Sequence, residues 1–280
     1  MDGIIYINKP KGYTSFDVCN KLKRVLNTKK IGHTGTLDPN ATGVLVVMVG
    51  KAVKCNQFLL NSNKEYVAEI KLGIKTDTAD IWGNVLEEKE FIKPNINEVK
   101  EVLKSFLGKQ EQLPPMTSAI KVNGMKLYEY QRKGIEVEIP KRSIEIFNIE
   151  LIEYTDSIKF KVMVSKGTYI RSLVEDIAEK LGTIGTMSSL IRTEVNGITT
   201  SMCYTLEEII EGNYVINPIY DVLSKEYIMH ETEDIDHIKQ GKRLELDYKD
   251  DIIMIVNKKE VIAAYERDKN KIFKSKRGLW

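Results

Sequence analysis

Hydrophobic residues recur along the chain with the periods of strands and helices. Residues 3–8 form an apolar run that predicts a short strand, ended by Pro10. Residues 44–49 are apolar on both faces, which predicts a fully buried strand. Over residues 66–72 apolar and polar residues alternate as in a half-buried strand, and Tyr66 falls in phase with the apolar set. Further strands are predicted over residues 144–154, 158–164, 252–256 and 261–265.

Amphipathic helices are predicted where apolar residues are spaced three and four apart. The first follows Ser15, whose residue type suits an N-cap, and Phe16 lies on its apolar stripe. A second helix is predicted to close at Gly108, and another carries Arg171 in its first turn. The capping-box spacing that begins at Thr205 predicts one more short helix.

The segment between the first helix and the buried strand, residues 31–43, is rich in glycine and is predicted to be a loop. It offers one imidazole, His33, and one carboxylate, Asp38. It lacks the Gly-Lys-Ser/Thr ending of a phosphate-binding loop, and His33 has no second His or Cys nearby to form a metal site. From the residues alone, Asp38 is either a catalytic group or a simple cap of the bend before Pro39.

Composition narrows the class of protein. A chain of 280 residues with 42% hydrophobic residues suits one large domain and one small domain, and we expect domains over residues 1–216 and 217–280. The three cysteines are far apart and odd in number, which argues against a disulfide framework and favours a reducing cytosol. Neither a secretory signal nor an apolar run of membrane-spanning length is visible, so a cytoplasmic protein without membrane association is expected.

The net charge of +2 is small, but positive charge is concentrated at both ends of the chain. Residues 1–60 hold nine Lys/Arg against three Asp, and the last twelve residues hold five Lys/Arg and no acid. Such patches attract a phosphate backbone. Charge alone would equally describe a solvated lysine-rich surface.

Five motifs resemble, in order, those of the TruB-type tRNA pseudouridine synthases and cover roughly the first two hundred residues. The most specific is GHTGTLDP, residues 32–39. The others are NKPKGYTS from Asn8, KEYVA from Lys64, PPMTSAIKVNG from Pro114 and KGTYIRSL from Lys166. Thr117 is a departure, because many members of the family carry Tyr at that place.

The resemblance implies an α+β fold: a central mixed, mostly antiparallel sheet flanked by helices, with a small C-terminal β-rich PUA-like module that binds RNA. Residues 110–142 would be a thumb-like insertion that grips the T loop of tRNA. The implied reaction flips a uridine out at position 55 and isomerises it to pseudouridine through carboxylate-assisted cleavage and re-formation of the glycosidic bond. The implied partner is the tRNA T stem-loop, with no cofactor, no metal and no obligate protein partner, and the protein is expected to be a monomer.

The resemblance also assigns roles to individual residues. Asp38 would be the catalytic carboxylate, with its point of attack left open among C1′, C6 and a glycal route. Arg171 would hold Asp38 ionised, and Tyr66 would stack on the target base or act as a base. Residues implied to bind substrate or RNA are His33, Tyr169, Lys9, Lys121 and Leu190.

Three alternatives stay open from the sequence. One alternative to the tRNA enzyme is a pseudouridine synthase for another RNA, such as ribosomal RNA or the target of a guide-RNA particle. Another is a non-catalytic protein that binds and folds tRNA. A glycoside hydrolase is disfavoured, because no motif places a second catalytic carboxylate.

Overall fold

The computed structural model describes residues 1–60 and 63–280, which form two compact units. The first unit comprises Met1–Pro39, Val44–Asn61 and Thr200–Trp280, and the second comprises Asn40–Gly43 and Ser62–Thr199. The strands are β1 (Gly3–Lys9), β2 (Ile31–His33), β3 (Thr42–Val49), β4 (Lys64–Leu72), β5 (Ile74–Thr76), β6 (Val85–Glu88), β7 (Gly108–Gln112), β8 (Lys121–Val122), β9 (Met125–Lys126), β10 (Arg142–Tyr154), β11 (Ile158–Val164), β12 (Gly185–Val195), β13 (Ile198–Thr199), β14 (Ile228–Glu231), β15 (Leu244–Glu245), β16 (Ile252–Asn257), β17 (Glu260–Lys269) and β18 (Ile272–Gly278). The helices are α1 (Ser15–Val25), α2 (Asn56–Leu59), α3 (Ile96–Lys104), α4 (Leu127–Lys133), α5 (Ile170–Lys180), α6 (Leu206–Ile210), α7 (Ile219–Leu223) and α8 (Ile235–Lys239), and the segments Gly50–Cys55 and Thr200–Met202 are 3₁₀ helices.

In the first unit, α1 and α6 pack on β1 and β3. The helix α1 starts one residue earlier than the sequence suggests. Thr14, and not Ser15, is the N-cap, because its side chain accepts from the backbone of Asp17 while the Asp17 carboxylate accepts from the Thr14 backbone. Phe16 was expected on the buried stripe, but it is 62% exposed, because the stripe that packs inward is set by Val18, Cys19 and Leu22. The core is built from Ile5, Ile7, Val18, Cys19, Leu22, Leu26, Leu45, Val47, Val49, Leu206 and Ile209.

The predicted loop at residues 31–43 is shorter than the sequence suggests. Its first residues form β2, which pairs antiparallel with β3, so that Ile31 lies opposite Val49 and His33 opposite Val47. Backbone pairing with a buried strand therefore prevails over the glycine content, because each pairing satisfies a main-chain group that would otherwise need another partner. The remaining loop, which carries Asp38, connects two adjacent strands of one sheet.

The C-terminal part of the first unit contains a second sheet with the strand order β14-β16-β17-β18-β15. The strands predicted over residues 252–256 and 261–265 are confirmed as β16 and β17. Lys258 and Lys259 both have positive φ, 48° and 64°, as a two-residue hairpin turn requires. The core of this sheet consists of Ile238, Ile253, Ile255, Ile262, Ala263, Tyr265 and Phe273. The domain boundary expected after residue 216 stays a prediction.

The second unit is built on a sheet with the order β12-β4-β11-β10-β7, in which neighbouring strands are antiparallel. One parallel pairing joins it, because Thr42 and Gly43 lie beside Ile191 and Arg192. Gly43 has a φ of +103°, and a Cβ there would stand 2.1 Å from the Arg192 carbonyl oxygen, so this close approach requires glycine. The predicted mixed, mostly antiparallel sheet and the α+β class are confirmed.

Helices α3 and α5 pack on this sheet. The helix α3 is capped by Asn95 and ends at Lys104, before the predicted closure at Gly108, which instead opens β7. The predicted helix that carries Arg171 in its first turn is confirmed as α5, and Gly182 follows its end with a φ of +80°. Among the described residues, no helix is both long enough and apolar enough to cross a membrane.

Candidate active site

The loop that carries Asp38 is held in place by a buried lysine. Lys9 has no exposed surface, and its Nζ donates to the carbonyl oxygens of Pro10 at 3.0 Å, Tyr13 at 2.5 Å and Pro39 at 2.9 Å. The backbone N–H of Gly12 also donates to Pro39 O, at 2.9 Å. The residue after Asp38 is therefore fixed by two donors.

The residue before Asp38 is fixed from the other side. Ser15 is buried, and its Oγ accepts from Leu37 N at 2.9 Å and donates to Leu37 O at 3.3 Å. The Leu37 side chain is buried as well. Both backbone neighbours of Asp38 are thus held by groups with almost no solvent access, which restricts the positions that the carboxylate can reach.

The structure places three predicted residues in the first unit. Asp38 and His33 are half-buried, and His33 ends the strand β2. The predicted phosphate contact of Lys9 is contradicted, because its three donor hydrogens are engaged by carbonyl groups inside the protein. Lys9 instead shapes the loop around Asp38.

Tyr66 lies in the second unit on the buried face of β4, as its phase predicts. It is paired with Val162 on β11 and with Arg192 on β12, and directly paired residues point to the same face of an antiparallel sheet. Ala68 and its partner Leu190 occupy the next position on that face. Tyr66, Leu190 and the deeply buried Arg192 therefore share one face.

Positive charge gathers at the end of this face. Lys64 lies two residues before Tyr66, and so on the same side of β4. Burial, and then the positive charges of Arg192 and Lys166, lower the pKa of Lys64 to about 8. Neighbouring cations disfavour the protonated amine, so this cluster is a favourable place for an anion.

Arg171 lies in the first turn of α5 and is buried. Its Nη1 donates to Thr78 O at 3.0 Å and to Thr117 Oγ1 at 2.5 Å. Glu175 follows one turn later. Burial raises the pKa of Glu175, while the positive charges of Lys75 and Arg171 act in the opposite direction. The arginine is therefore held at the start of a helix by contacts from two other segments.

The other predicted residues differ in their surroundings. Tyr169 is the N-cap residue of α5 and packs against a cluster of Ile120, Leu127 and Tyr130. Lys121 is exposed on the hairpin formed by β8 and β9, where it is accessible to a large ligand. In the part of the chain that the structure describes, no group of three or more His, Cys, Asp and Glu side chains is arranged to hold a metal ion.

Comparison with known proteins identifies the family. The model of the N-terminal domain of TruB family pseudouridylate synthases matches residues 23–170, and the model of the tRNA pseudouridylate synthase B C-terminal domain matches residues 171–222. The chain belongs to the TruB family. It is 43% identical to tRNA pseudouridine synthase B of Mesoplasma florum over 99% of this chain and 97% of that protein. The enzyme of the same name from Clostridium tetani is 42% identical over 96% of this chain and 93% of that protein.

Solved structures agree with the fold of the TruB family. The chain resembles a protein in a Cbf5–Nop10–Gar1 complex with a TM-score of 0.74, at 24% identity over 99% of this chain and 85% of that chain. A chain in an H/ACA ribonucleoprotein bound to a substrate RNA has a TM-score of 0.73, at 24% identity and the same coverage. At this level of identity the likeness concerns the fold.

Some contacts around the candidate site residues escaped the sequence analysis. Gln112 was not named, and Thr117 was named only as a departure from a motif; both contact the start of α5 from more than fifty residues away, so no local pattern connects them to it. Arg192 did carry a signal, because it stands two residues after Leu190 and so in phase with a buried position. A charged residue in phase with a buried face is a sign of function that the sequence analysis overlooked.

Proposed function

We propose that this protein isomerises one uridine in the T loop of tRNA, at position 55, to pseudouridine, with Asp38 as its catalytic carboxylate. The observation that carries the proposal is the double fixation of the Asp38 backbone, through Pro39 on one side and Leu37 on the other. A carboxylate that must act on one atom of a flipped nucleotide gains rate from such restriction. Membership of the TruB family supports the reaction type.

The reaction itself adds and removes nothing. The bond between uracil N1 and ribose C1′ breaks, and a bond between C5 and C1′ forms. C5 loses its proton to solvent or to a base, and N1 gains one, so the composition of the nucleotide is unchanged. The demanding step is breaking a glycosidic bond without release of the base, which calls for a carboxylate near C1′ or C6 and for exclusion of water.

The other residues take roles that follow from this chemistry. We assign to Arg171 the task of keeping Asp38 ionised and oriented, as the family resemblance implies. Tyr66 would stack on the flipped base, which suits its place on a buried face. His33 would fill the gap in the RNA stack that the flipped nucleotide leaves, which offsets part of the few kcal/mol that flipping costs.

The remaining parts of the chain would bind tRNA. We propose that residues 110–142 grip the T loop, with the exposed Lys121 at a phosphate, and that residues 217–280 are a PUA-like RNA-binding domain. We also propose that the protein acts alone, as a monomer, in the cytoplasm. None of the described cysteines, Cys19, Cys55 and Cys203, is in a disulfide, which is in keeping with a reducing compartment.

The test uses an unmodified tRNA transcript labelled with tritium at C5 of uridine. Because the C5 proton leaves during isomerisation, wild-type protein should release tritium equal to one uridine per tRNA, with no metal or nucleotide added. Asp38→Asn should bind the tRNA with unchanged affinity and release none. Asp156→Asn is the matched control, since Asp156 is fully exposed and only forms a surface ion pair with Lys93.

Each outcome has a distinct meaning. A transcript with cytidine at position 55 should release nothing, and release from it would refute the assigned position. Turnover by Asp38→Asn would remove Asp38 from the mechanism. Tight binding by wild-type protein without any tritium release would favour the alternative of a tRNA-folding protein.

A further inference from the structure

The start of α5 is attached to a distant segment by an unusual side-chain clamp. Gln112 is buried, and its Oε1 accepts from Tyr169 N at 2.8 Å while its Nε2 donates to Tyr169 O at 3.0 Å. One amide side chain thus satisfies both main-chain groups of the N-cap residue. Tyr169 has no side-chain cap of its own, so the clamp fixes the direction in which α5 begins.

Two further hydrogen bonds join the same segments. Ser172 Oγ donates to Leu113 O at 2.9 Å, and Arg171 Nη1 donates to Thr117 Oγ1 at 2.5 Å. Together with the Gln112 clamp, these bonds tie residues 112–117 to residues 169–172. The contact is specific in position, because Tyr169, Arg171 and Ser172 each have a hydrogen-bond partner within residues 112–117.

The Tyr169 side chain continues this contact into the proposed gripping segment. It packs against Ile120, Leu127 and Tyr130, which form a small hydrophobic core within residues 110–142. The Tyr130 hydroxyl donates to Val122 O at 2.9 Å, which joins the helix α4 to the hairpin that bears Lys121. A continuous packed path therefore runs from this hairpin to the first turn of α5.

Thr117 contacts the Arg171 guanidinium directly. The guanidinium group is planar, and Nη1 is shared between Thr117 Oγ1 and Thr78 O, so these two acceptors restrict the plane of the group. Removal of the Thr117 acceptor takes away one of these two restraints on the plane of the group. The electrostatic effect of a guanidinium on a carboxylate depends on this orientation.

We propose that Thr117 is a positioning residue that orients the Arg171 guanidinium, with Gln112 fixing the helix start on which Arg171 stands. Segment 110–142 thereby controls the catalytic arginine as well as gripping RNA. This inference rests on the proposed function, in which Arg171 acts on Asp38. It assigns to Thr117 a role that is measured in the rate of the chemical step and not in the affinity for tRNA.

The test compares Thr117→Val with Thr117→Ser under single-turnover conditions. Valine keeps the shape and removes the acceptor, and we expect the rate to fall about ten-fold, as for loss of a hydrogen bond to a charged group, while the dissociation constant for tRNA changes less than two-fold. Serine should restore most of the rate. Thr193→Val is the matched control and should leave the rate unchanged. It also removes a threonine hydroxyl, one that donates to Glu65 Oε1 at 2.8 Å between strands β12 and β4.

A double-mutant cycle separates positioning from general loosening. Arg171→Lys removes the Nη1 contact, so adding Thr117→Val to it should lower the rate no further. Additive losses, or a wild-type rate in Thr117→Val, would overturn the inference. If Thr117→Val fails to fold, Thr117→Ala and Thr117→Ser give the same comparison. Absence of product from wild-type protein would instead refute the proposed function.

Discussion

Each of the two units places a lysine with restricted solvent access close to a predicted catalytic residue, and the electrostatic surroundings of the two lysines differ. In the first unit, Lys9 is completely buried and its ammonium group donates to three carbonyl oxygens beside Asp38. In the second unit, Lys64 lies near Tyr66 on the same face of β4, where burial and the charges of Arg192 and Lys166 lower its pKa. Three carbonyl oxygens accept from Lys9, whereas two further cations contribute to the lowered pKa of Lys64.

The surroundings of each lysine indicate whether it stabilises the fold or binds a ligand. A buried cation whose donors are all satisfied replaces the water that it has lost and fixes the groups around it. A buried cation near other cations lowers the stability of the empty protein. Proteins commonly retain such an unfavourable arrangement at functional sites. We therefore expect Lys9 to matter for stability and Lys64 for binding of the tRNA phosphates.

The largest expected effect comes from Lys9→Met. The substitution leaves the carbonyl groups of Pro10 and Tyr13 without this donor, while Pro39 O keeps the Gly12 N–H. At about 1–3 kcal/mol for each buried group that loses its partner, we expect the free energy of unfolding to fall by about 3 kcal/mol. Urea denaturation followed by circular dichroism measures this value.

Lys11→Met is the control for Lys9→Met, because Lys11 is exposed two residues further along. We expect that variant to change the free energy of unfolding by less than about 0.5 kcal/mol. If Lys9→Met were as stable as wild type and kept its turnover, the support that Lys9 gives to the Asp38 loop would be refuted.

Lys64→Met is expected to raise the free energy of unfolding at pH 7, whereas Lys9→Met lowers it. The pKa of Lys64 is about 8 in the folded protein, against 10.5 as the ordinary value. Below pH 8 both states are protonated, so the folded protein bears the full penalty of the charge. As pH rises from 8 to 10.5 the unfolded state binds more protons, and wild-type stability rises. We expect Lys64→Met to be about 2 kcal/mol more stable than wild type at pH 7 and to lose this advantage by pH 10.5.

The same variant should lose affinity for tRNA. Removal of one phosphate-directed cation is expected to reduce the slope of log affinity against log salt by about one, in a filter-binding titration. Lys71→Met is the matched control, since Lys71 is an exposed lysine on the same strand. A Lys64→Met protein with unchanged salt dependence would show that this cluster is not a phosphate site.

The contrast between the lysines also shows where sequence reasoning succeeds and where it stops. The periods of hydrophobicity placed Tyr66 on a buried face and residues 44–49 in the core, because strand periodicity is a local property. The motif around Asp38 is local as well, and the assignment of Asp38 as the catalytic carboxylate stays a prediction. Lys9 was predicted to face RNA, because a lysine in a basic segment is usually solvated. One of its three carbonyl partners, Pro39 O, lies thirty residues away on the loop that carries Asp38, and a local pattern does not show that contact.

Motifs proposed members of the candidate site, but they did not show which other residues hold those members in place. Arg171 was named from its motif and Thr117 as a departure from one, but Gln112 was not named and the contact between Thr117 and Arg171 was not foreseen, because these contacts with the start of α5 span more than fifty residues of chain. The prediction for Phe16 was wrong for a related reason. Its place on the apolar stripe was a local inference, whereas its exposure depends on which helix face the strands β1 and β3 cover.

The smallest expected effect on the free energy of unfolding comes from Ser15→Ala, which tests the second hydrogen-bonded support of the Asp38 loop. Ser15→Ala removes the acceptor of Leu37 N, although the lysine that holds Pro39 remains. We expect a loss of about 1 kcal/mol in the free energy of unfolding, as for a single neutral hydrogen bond. Ser105→Ala is the control, since that hydroxyl donates to Val102 O at an exposed helix end and should contribute almost nothing. The informative measurement is the single-turnover rate on tRNA. If Ser15→Ala slows turnover more than its small effect on stability suggests, the position of Asp38 depends on fixation from both sides, whereas an unchanged rate would mean that Lys9 alone is sufficient.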